Sequence, residues 1–243
     1  MSGVFDLVID DPPFTVIDGQ VLTDASDRGG SGKVGRTAWG RWAVQRILAV
    51  AGKPLTQPVL ADLTGISQQA VSQALQLIPL VSHGRGGWSA PIESLDAWLS
   101  EYPGPKGTVT YWYGLDAISG QAATACELLE ELELQSVISG DLAADEYSPW
   151  QVPSTALLYV PELVDFTPVG LSPADRLDAT MQVVVPDDPT IIQVATHMST
   201  GRRHPTADPA IVLWDLLNTS TGPAADEAAA RLKAHIADGA FSD

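Results

Sequence analysis

The pattern of apolar and polar residues divides the chain into three parts. A short first part covers residues 1–35, and a second part, residues 36–102, has apolar side chains at helical spacing near both of its ends. Proline and glycine at 103–105 then interrupt the pattern. The remainder, residues 106–243, mixes apolar runs of strand length with longer amphipathic stretches. We therefore predict an N-terminal hairpin and linker followed by two domains.

In the first part, two β-rich runs at 4–9 and 14–22 predict a short hairpin, and the glycine-rich segment 28–35 predicts a linker. That linker contains a literal GxGxxG, but no strong strand leads into it and no acid follows about twenty residues later. The second part is predicted to begin with a helix over 37–51 and to end with a helix over 92–102.

The third part alternates predicted strands with predicted helices. The strands are expected at 107–114, 135–139, 154–160, 180–185 and 190–195. The helices are expected at 115–134, 140–147, from 208 onward and at 223–238. The whole chain is therefore assigned to the α+β class, with a sheet domain over residues 106–243.

Residues 60–74 read LADLTGISQQAVSQA, which has the spacing of a helix-turn-helix. Small Ala61 allows close helix crossing, Gly65 supplies the turn, and Val71 anchors the second helix in the core. Ser67 is predicted to cap that second helix. Helical bundles that never bind nucleic acid share this spacing, so the flanking residues matter.

The predicted outer face of the second helix carries only amides and hydroxyls, which hydrogen-bond base edges and phosphates. These residues are Ser67, Gln68, Gln69, Ser72, Gln73 and Gln76. Two apolar runs at 80–82 and 88–90 follow, around a glycine-rich tip that carries Arg85. This hairpin predicts the wing of a winged helix-turn-helix, with Arg85 placed to enter a minor groove.

The distribution of charge along the chain supports the prediction of a DNA-binding helix-turn-helix. The chain has a formal net charge of −17, which taken alone argues against DNA binding. Residues 28–88 nevertheless carry seven bases and one acid, whereas 1–27 and 89–243 are both acidic. The only basic segment thus coincides with the predicted helix-turn-helix. Candidate phosphate contacts in it are Arg36, Arg41 and Arg46, of which at least one could instead pair with an acid within the same domain.

Other chemistry is sparse. The single cysteine, Cys126, excludes an internal disulfide and fits a reducing cytoplasm. No membrane-spanning run, metal-ligand spacing or catalytic triad is present, so we expect no membrane association, no metal, no cofactor and no catalytic residues. Asp187 and Asp188, between two prolines, predict a turn between strands rather than a metal site.

Residues 139–141 read Ser-Gly-Asp between a predicted strand and a predicted helix. A nucleotidyltransferase starts its active site similarly, but adds a second carboxylate for Mg²⁺, and here Leu142-Ala143-Ala144 follows. The order of these segments, with "VISGDLAA", "ALLYV", "MQVVVPDD" and "ADPAIVLWDLL", resembles the AbiEi antitoxins of type IV toxin–antitoxin (abortive infection) systems.

The resemblance covers about residues 36–240 and implies a DNA-binding repressor. Its winged helix would bind an inverted repeat at its own promoter. Its second domain would resemble a degenerate nucleotidyltransferase and act against a nucleotidyltransferase toxin. Three alternatives remain open: a solitary regulator without a toxin, a nucleotidyltransferase that uses Asp141, and a module whose winged helix binds protein.

Overall fold

The computed structural model describes strands at 7–10, 13–17 and 20–22, and residues 38–150, 152–198, 204–219 and 223–239. It has a mixed α+β fold with two compact units, Met1–Thr37 and Ala38–Asp243. The predicted linker at 28–35 and Arg36 lie outside the described residues. None of the helices in the described ranges is long and apolar enough to cross a membrane.

The first unit contains three antiparallel strands in the order of the chain: β1 (Leu7–Asp10), β2 (Pro13–Ile17) and β3 (Gln20–Leu22). The sequence predicted a hairpin here. The second predicted run, which the sequence expects to be broken at Asp18-Gly19, corresponds to the two strands β2 and β3.

The second unit begins with helices and a hairpin. Its first elements are α1 (Trp39–Val50), α2 (Gln57–Thr64), α3 (Gln68–Leu77), β4 (Ser82–Gly84), β5 (Gly87–Ser89) and α4 (Glu93–Glu101). β4 and β5 are antiparallel. Leu55, between α1 and α2, exchanges two backbone hydrogen bonds with Trp88 of β5, at 2.8 and 2.7 Å. The hairpin is thereby extended to a third short segment that joins it to the helices.

A five-stranded sheet follows, in the order β7-β8-β10-β6-β9. Its strands are β6 (Thr108–Tyr113), β7 (Val137–Ser139), β8 (Ala156–Tyr159), β9 (Ser172–Pro173) and β10 (Met181–Val185). Only β8 and β10 run parallel. The accompanying helices are α5 (Ile118–Glu131), α6 (Gly140–Tyr147), α7 (Thr190–Met198), α8 (Pro209–Thr219) and α9 (Pro223–Ala237).

The predicted strand at 190–195 is wrong, because these residues form the first turns of α7. Asp188 accepts hydrogen bonds from the backbone N–H and the hydroxyl of Thr190, at 2.9 and 2.6 Å. Pro189 follows it, and an aspartate before a proline is a typical helix start. The predicted turn at 187–188 therefore connects a strand to a helix and not two strands.

Residues 36–102 and 106–243 were predicted as separate domains, but one compact unit contains residues from both. Trp42, Trp98 and Tyr102 belong to the same buried apolar cluster as the side chains of the five-stranded sheet. Helix α1 packs against α3 and α4 on one side of the predicted boundary and against α7 and α8 on the other. A second, smaller cluster lies beneath α3 and includes Val194 of α7.

Candidate nucleic-acid interface

The connection between α2 and α3 has the geometry that the sequence predicts. Gly65 adopts a left-handed conformation with φ +68°, and its N–H donates to the carbonyl of Ala61 at 2.9 Å. A Cβ at Gly65 would lie 2.8 Å from Cγ of Gln193 in α7. The hydroxyl oxygen of Ser67 accepts from the backbone N–H of Ala70 at 3.2 Å, so the predicted cap of α3 is confirmed.

Helix α3 is held by its apolar face. Val71, Ala74 and Leu75 are buried in the smaller core cluster, where they pack with residues of α1. Burial of one such large aliphatic side chain is worth about 1.5–3 kcal/mol, so this face fixes the orientation of the helix. The opposite face is consequently turned to solvent.

The solvent face of α3 contains the residues that the sequence singled out. Gln68, Gln69, Gln73 and Gln76 are exposed, as is Ser67, and Ser72 is half-buried. Within the described part of the chain, none of the four glutamine amides has a hydrogen-bond partner. The helix thus presents a row of uncommitted donors and acceptors without a charged residue among them.

Arg85 lies at the tip of the β4–β5 hairpin and is exposed, with no acid within ion-pair distance among the described residues. The hairpin is fixed close to the helices, because a Cβ at Gly87 (φ +125°) would overlap the carbonyl oxygen of Leu55. His83 and Trp88, opposite each other in the hairpin, have ring centroids 4.9 Å apart. The arginine therefore extends from an anchored hairpin.

The three arginines predicted to contact phosphate differ in their placement and exposure. Arg36 lies outside the described residues. Arg41 is half-buried, and its guanidinium lies 3.9 Å from the ring centroid of Trp42, a cation–π contact. Arg46 is completely buried, so its prediction as a phosphate contact is wrong.

Arg46 lies in a stretch of α1, Trp42 to Val50, in which every residue is buried. Its Nε donates to Oδ2 of Asp208 at 2.8 Å. Its two terminal nitrogens donate to the hydroxyl and the carbonyl of Thr190, at 3.0 and 3.1 Å, and one of them lies 3.7 Å from Oδ2 of Asp188. A buried guanidinium needs such partners, because its desolvation would otherwise cost several kcal/mol.

The same network fixes protonation states. Burial by itself would lower the pKa of Arg46, but Asp208 and Asp188 outweigh burial, and the pKa is raised. The hydroxyl of Tyr102 donates to Asp188 at 2.8 Å, and burial together with this carboxylate raises the pKa of Tyr102 far above its usual value. At neutral pH Arg46 is charged and Tyr102 is protonated, as the hydrogen bonds require.

Another buried carboxylate, Asp215 of α8, is hydrogen-bonded to side chains of β7 and β8. It accepts from the hydroxyl of Ser139 at 2.5 Å and from that of Tyr159 at 2.8 Å. Burial, and to a lesser extent Asp208, raises the pKa of Asp215 to about 7, although the two hydrogen bonds lower it. No periodic pattern of apolar residues indicates this site in advance.

Asp141, the carboxylate that a nucleotidyltransferase would use, is nearly fully buried at the start of α6. Its Oδ2 accepts from the hydroxyl and the backbone N–H of Ser154, at 2.7 and 3.2 Å. In the described ranges, no three His, Cys, Asp or Glu side chains are grouped as metal ligands would be.

Comparison with known proteins adds no assignment. No family model matches this chain, and no curated protein or solved structure is significantly similar to it.

Proposed function

We propose that this protein is a DNA-binding transcriptional regulator of the winged helix-turn-helix type, with α3 as the recognition helix. The observation that carries the proposal is the outer face of α3, with four exposed glutamines that have no partner in the described chain, beside the exposed Arg85 of the hairpin. Amides read base edges in the major groove, and an arginine at a wing tip suits a minor groove or a phosphate.

The order of elements supports this interpretation. α1, the Leu55 segment, α2, α3 and the β4–β5 hairpin follow one another as they do in a winged helix, and the turn before α3 is a left-handed glycine. Helix α3 is ten residues long, enough to place its first two turns in a major groove.

The burial of Arg46 reduces the charge available for DNA. Within 38–88, Arg41, Lys53 and Arg85 are the cations without an acid partner among the described residues. Each phosphate contact contributes roughly −0.9 to the slope of log affinity against log salt, so we expect these three cations together to contribute about −3 to the slope per chain. Most of the specificity would then come from the glutamine face.

The proposal is tested by selection of duplexes from a random-sequence pool, followed by titration of the enriched sequence at several salt concentrations. We expect an inverted repeat to be enriched, and to recur upstream of the protein's own gene if the regulator is an autorepressor. A pool that shows no enrichment over several rounds, even at low salt, would contradict the proposal and favour a protein partner for this face.

We further propose that residues 106–243 act as the antitoxin part of a type IV toxin–antitoxin system. The support is the resemblance to AbiEi antitoxins, together with a lone Asp141 that is engaged by Ser154. Co-expression with a nucleotidyltransferase encoded beside this gene is the test. Restored growth, retained when Gln69 and Gln73 are replaced, supports the proposal. Unrelieved toxicity would leave a solitary regulator, and nucleotide transfer lost in Asp141→Ala would indicate an enzyme.

A further inference from the structure

One face of the five-stranded sheet is lined by two cross-strand rows of side chains. Tyr111, Gln182 and Leu157 form one row across β6, β10 and β8. Val109, Val184 and Tyr159 form the next row. These six side chains, together with Trp214 of α8, line a cavity of about 330 Å³. The sheet face is therefore only partly covered by helices.

A second cavity of about 470 Å³ adjoins the first. The two share Arg176, Gln182 and Thr219 in their walls, so they form one cleft, with Arg176 at the junction. Its size falls within the roughly 300–1,000 Å³ that small-molecule sites occupy. We refer to the two cavities together as the sheet cleft.

The sheet cleft contains two unpaired cations. Arg176 and Lys106 are exposed, and neither has an acid within ion-pair distance among the described residues. The other described cations beyond residue 88, Arg231 and Lys233, are paired with Glu227 and Asp96. Beyond residue 88, both of the described cations that lack an acid partner thus line the same cleft. Two carboxylates, Asp215 and Asp141, also line the cleft, but both are buried and accept hydrogen bonds from neighbouring hydroxyls. The exposed charges of the cleft are therefore both positive, which favours an anionic ligand.

The wall beside the cations is aromatic and rigid. The ring of Trp214 packs edge-on against Tyr102, with centroids 5.9 Å apart, and a Cβ at Gly104 would lie 2.7 Å from its Cζ2. Tyr111 is half-buried in the same cavity. The side-chain amide of Gln182 has no hydrogen-bond partner among the described residues, so it is free to orient a ligand.

We propose that the sheet cleft binds a small organic anion with a planar aromatic group. Arg176 holds the anionic group through charge-assisted hydrogen bonds. The aromatic group lies against Tyr111 and Trp214, and Gln182 supplies a hydrogen bond that sets its orientation. The site is separate from the α3 face, and the proposal does not depend on DNA binding. An aromatic carboxylate and a mononucleotide share this chemistry.

The test is calorimetric titration of the full chain with three probes: indole-3-acetate, AMP and inorganic phosphate. We expect saturable binding of indole-3-acetate or AMP, and the preferred probe distinguishes a carboxylate from a nucleotide ligand. Arg176→Gln should weaken that binding about tenfold or more, since a hydrogen bond to a charged group is lost. Tyr111→Leu should weaken binding of the aromatic probe without changing the weak response to phosphate.

Arg85→Gln is the matched control, because it removes the same charge from the hairpin tip and should leave probe binding unchanged. Arg176 is exposed and has no acid partner among the described residues, so its replacement should leave the thermal midpoint unchanged, which circular dichroism would verify. Two results would overturn the proposal: no saturable binding of either aromatic probe, or equal binding by Arg176→Gln and the unaltered chain.

Discussion

Nε of Arg46 donates a hydrogen bond to Oδ2 of Asp208 across 2.8 Å, although the two residues are 162 positions apart. The other carboxylate oxygen of Asp208 accepts from the backbone N–H groups of Ala210 and Ile211, at 3.2 and 3.3 Å, at the start of α8. One buried ion pair therefore joins α1, which supports the α3 face, to the helix that bounds the sheet cleft.

Replacement of Arg46 by methionine should be strongly destabilising. The variant keeps most of the side-chain volume but leaves Asp208 and Asp188 buried without their cation, a change that typically costs about 3–5 kcal/mol. Urea unfolding should show this loss in the free energy of unfolding. Arg41→Met is the control, since it removes a half-buried guanidinium whose cation–π contact is worth about 0.5–1 kcal/mol. Similar small losses in both variants would contradict the structural role of Arg46.

A second prediction concerns the turn before α3 and its effect on the free energy of unfolding. Gly65→Ala forces a side chain into a left-handed conformation, which costs about 1–2 kcal/mol, and it places Cβ against Gln193. Gly84→Ala is the matched control, because no heavy atom lies within 4 Å of its Cβ position and its φ is not positive. Thermal and urea unfolding should separate the two variants. If Gly65→Ala and Gly84→Ala changed the free energy of unfolding equally, the turn at Gly65 would accept a side chain without strain.

Asp215 makes the free energy of unfolding depend on pH. Its folded pKa of about 7 lies above the usual 3.8, so between about pH 4 and pH 7 the folded chain holds a proton that the unfolded chain releases. The contribution of Asp215 to the free energy of unfolding is therefore greatest below about pH 4. It falls by about 4 kcal/mol in all as the pH rises to about 7.

Other ionisable groups contribute to the pH dependence of both proteins. The quantity to compare is therefore the difference in the free energy of unfolding between the unaltered chain and the variant Asp215→Asn. The free energy of unfolding is determined from pH 4 to pH 8 for the unaltered chain and for Asp215→Asn. We expect the variant to gain stability relative to the unaltered chain as pH rises to 7, and the difference to level off above it. Parallel profiles would show that the folded pKa of Asp215 is not raised.

The sequence predicted most elements because their signals are local. The left-handed turn at Gly65 and the cap at Ser67 both act within a few residues. The β4–β5 hairpin likewise follows from apolar runs around glycines. The strand predicted at 190–195 failed because β-branched residues outweighed the Asp188-Pro189 pair that starts α7. Asp208-Pro209 starts α8 in the same way, so an aspartate before a proline was the better signal.

Arg46 could not be placed by local rules, because its partners come from two distant helix starts. A signal was nevertheless present: Gln45 and Arg46 are the only strongly polar residues in the run from Trp42 to Val50. A charge inside a helix that is apolar on all sides indicates a buried ion pair. The sheet cleft is harder still, since Tyr111, Gln182 and Leu157 are brought together only by strand pairing.

The roles that we propose for the glutamines of α3 and for Arg85 can be measured separately. Gln69→Ala and Gln73→Ala should each reduce the preference for the selected sequence over random DNA by about 1–3 kcal/mol, because a base contact is lost. Arg85→Gln should instead weaken both DNAs alike and reduce the magnitude of the salt slope by about 0.9. Gln135→Ala, at an exposed glutamine of the sheet region, controls for the substitution itself. Fluorescence anisotropy with both duplexes at several salt concentrations gives the affinity for each DNA, the preference for the selected sequence and the salt slope. If the glutamine variants lost affinity equally on selected and random DNA, α3 would bind the backbone and some other element would read the bases.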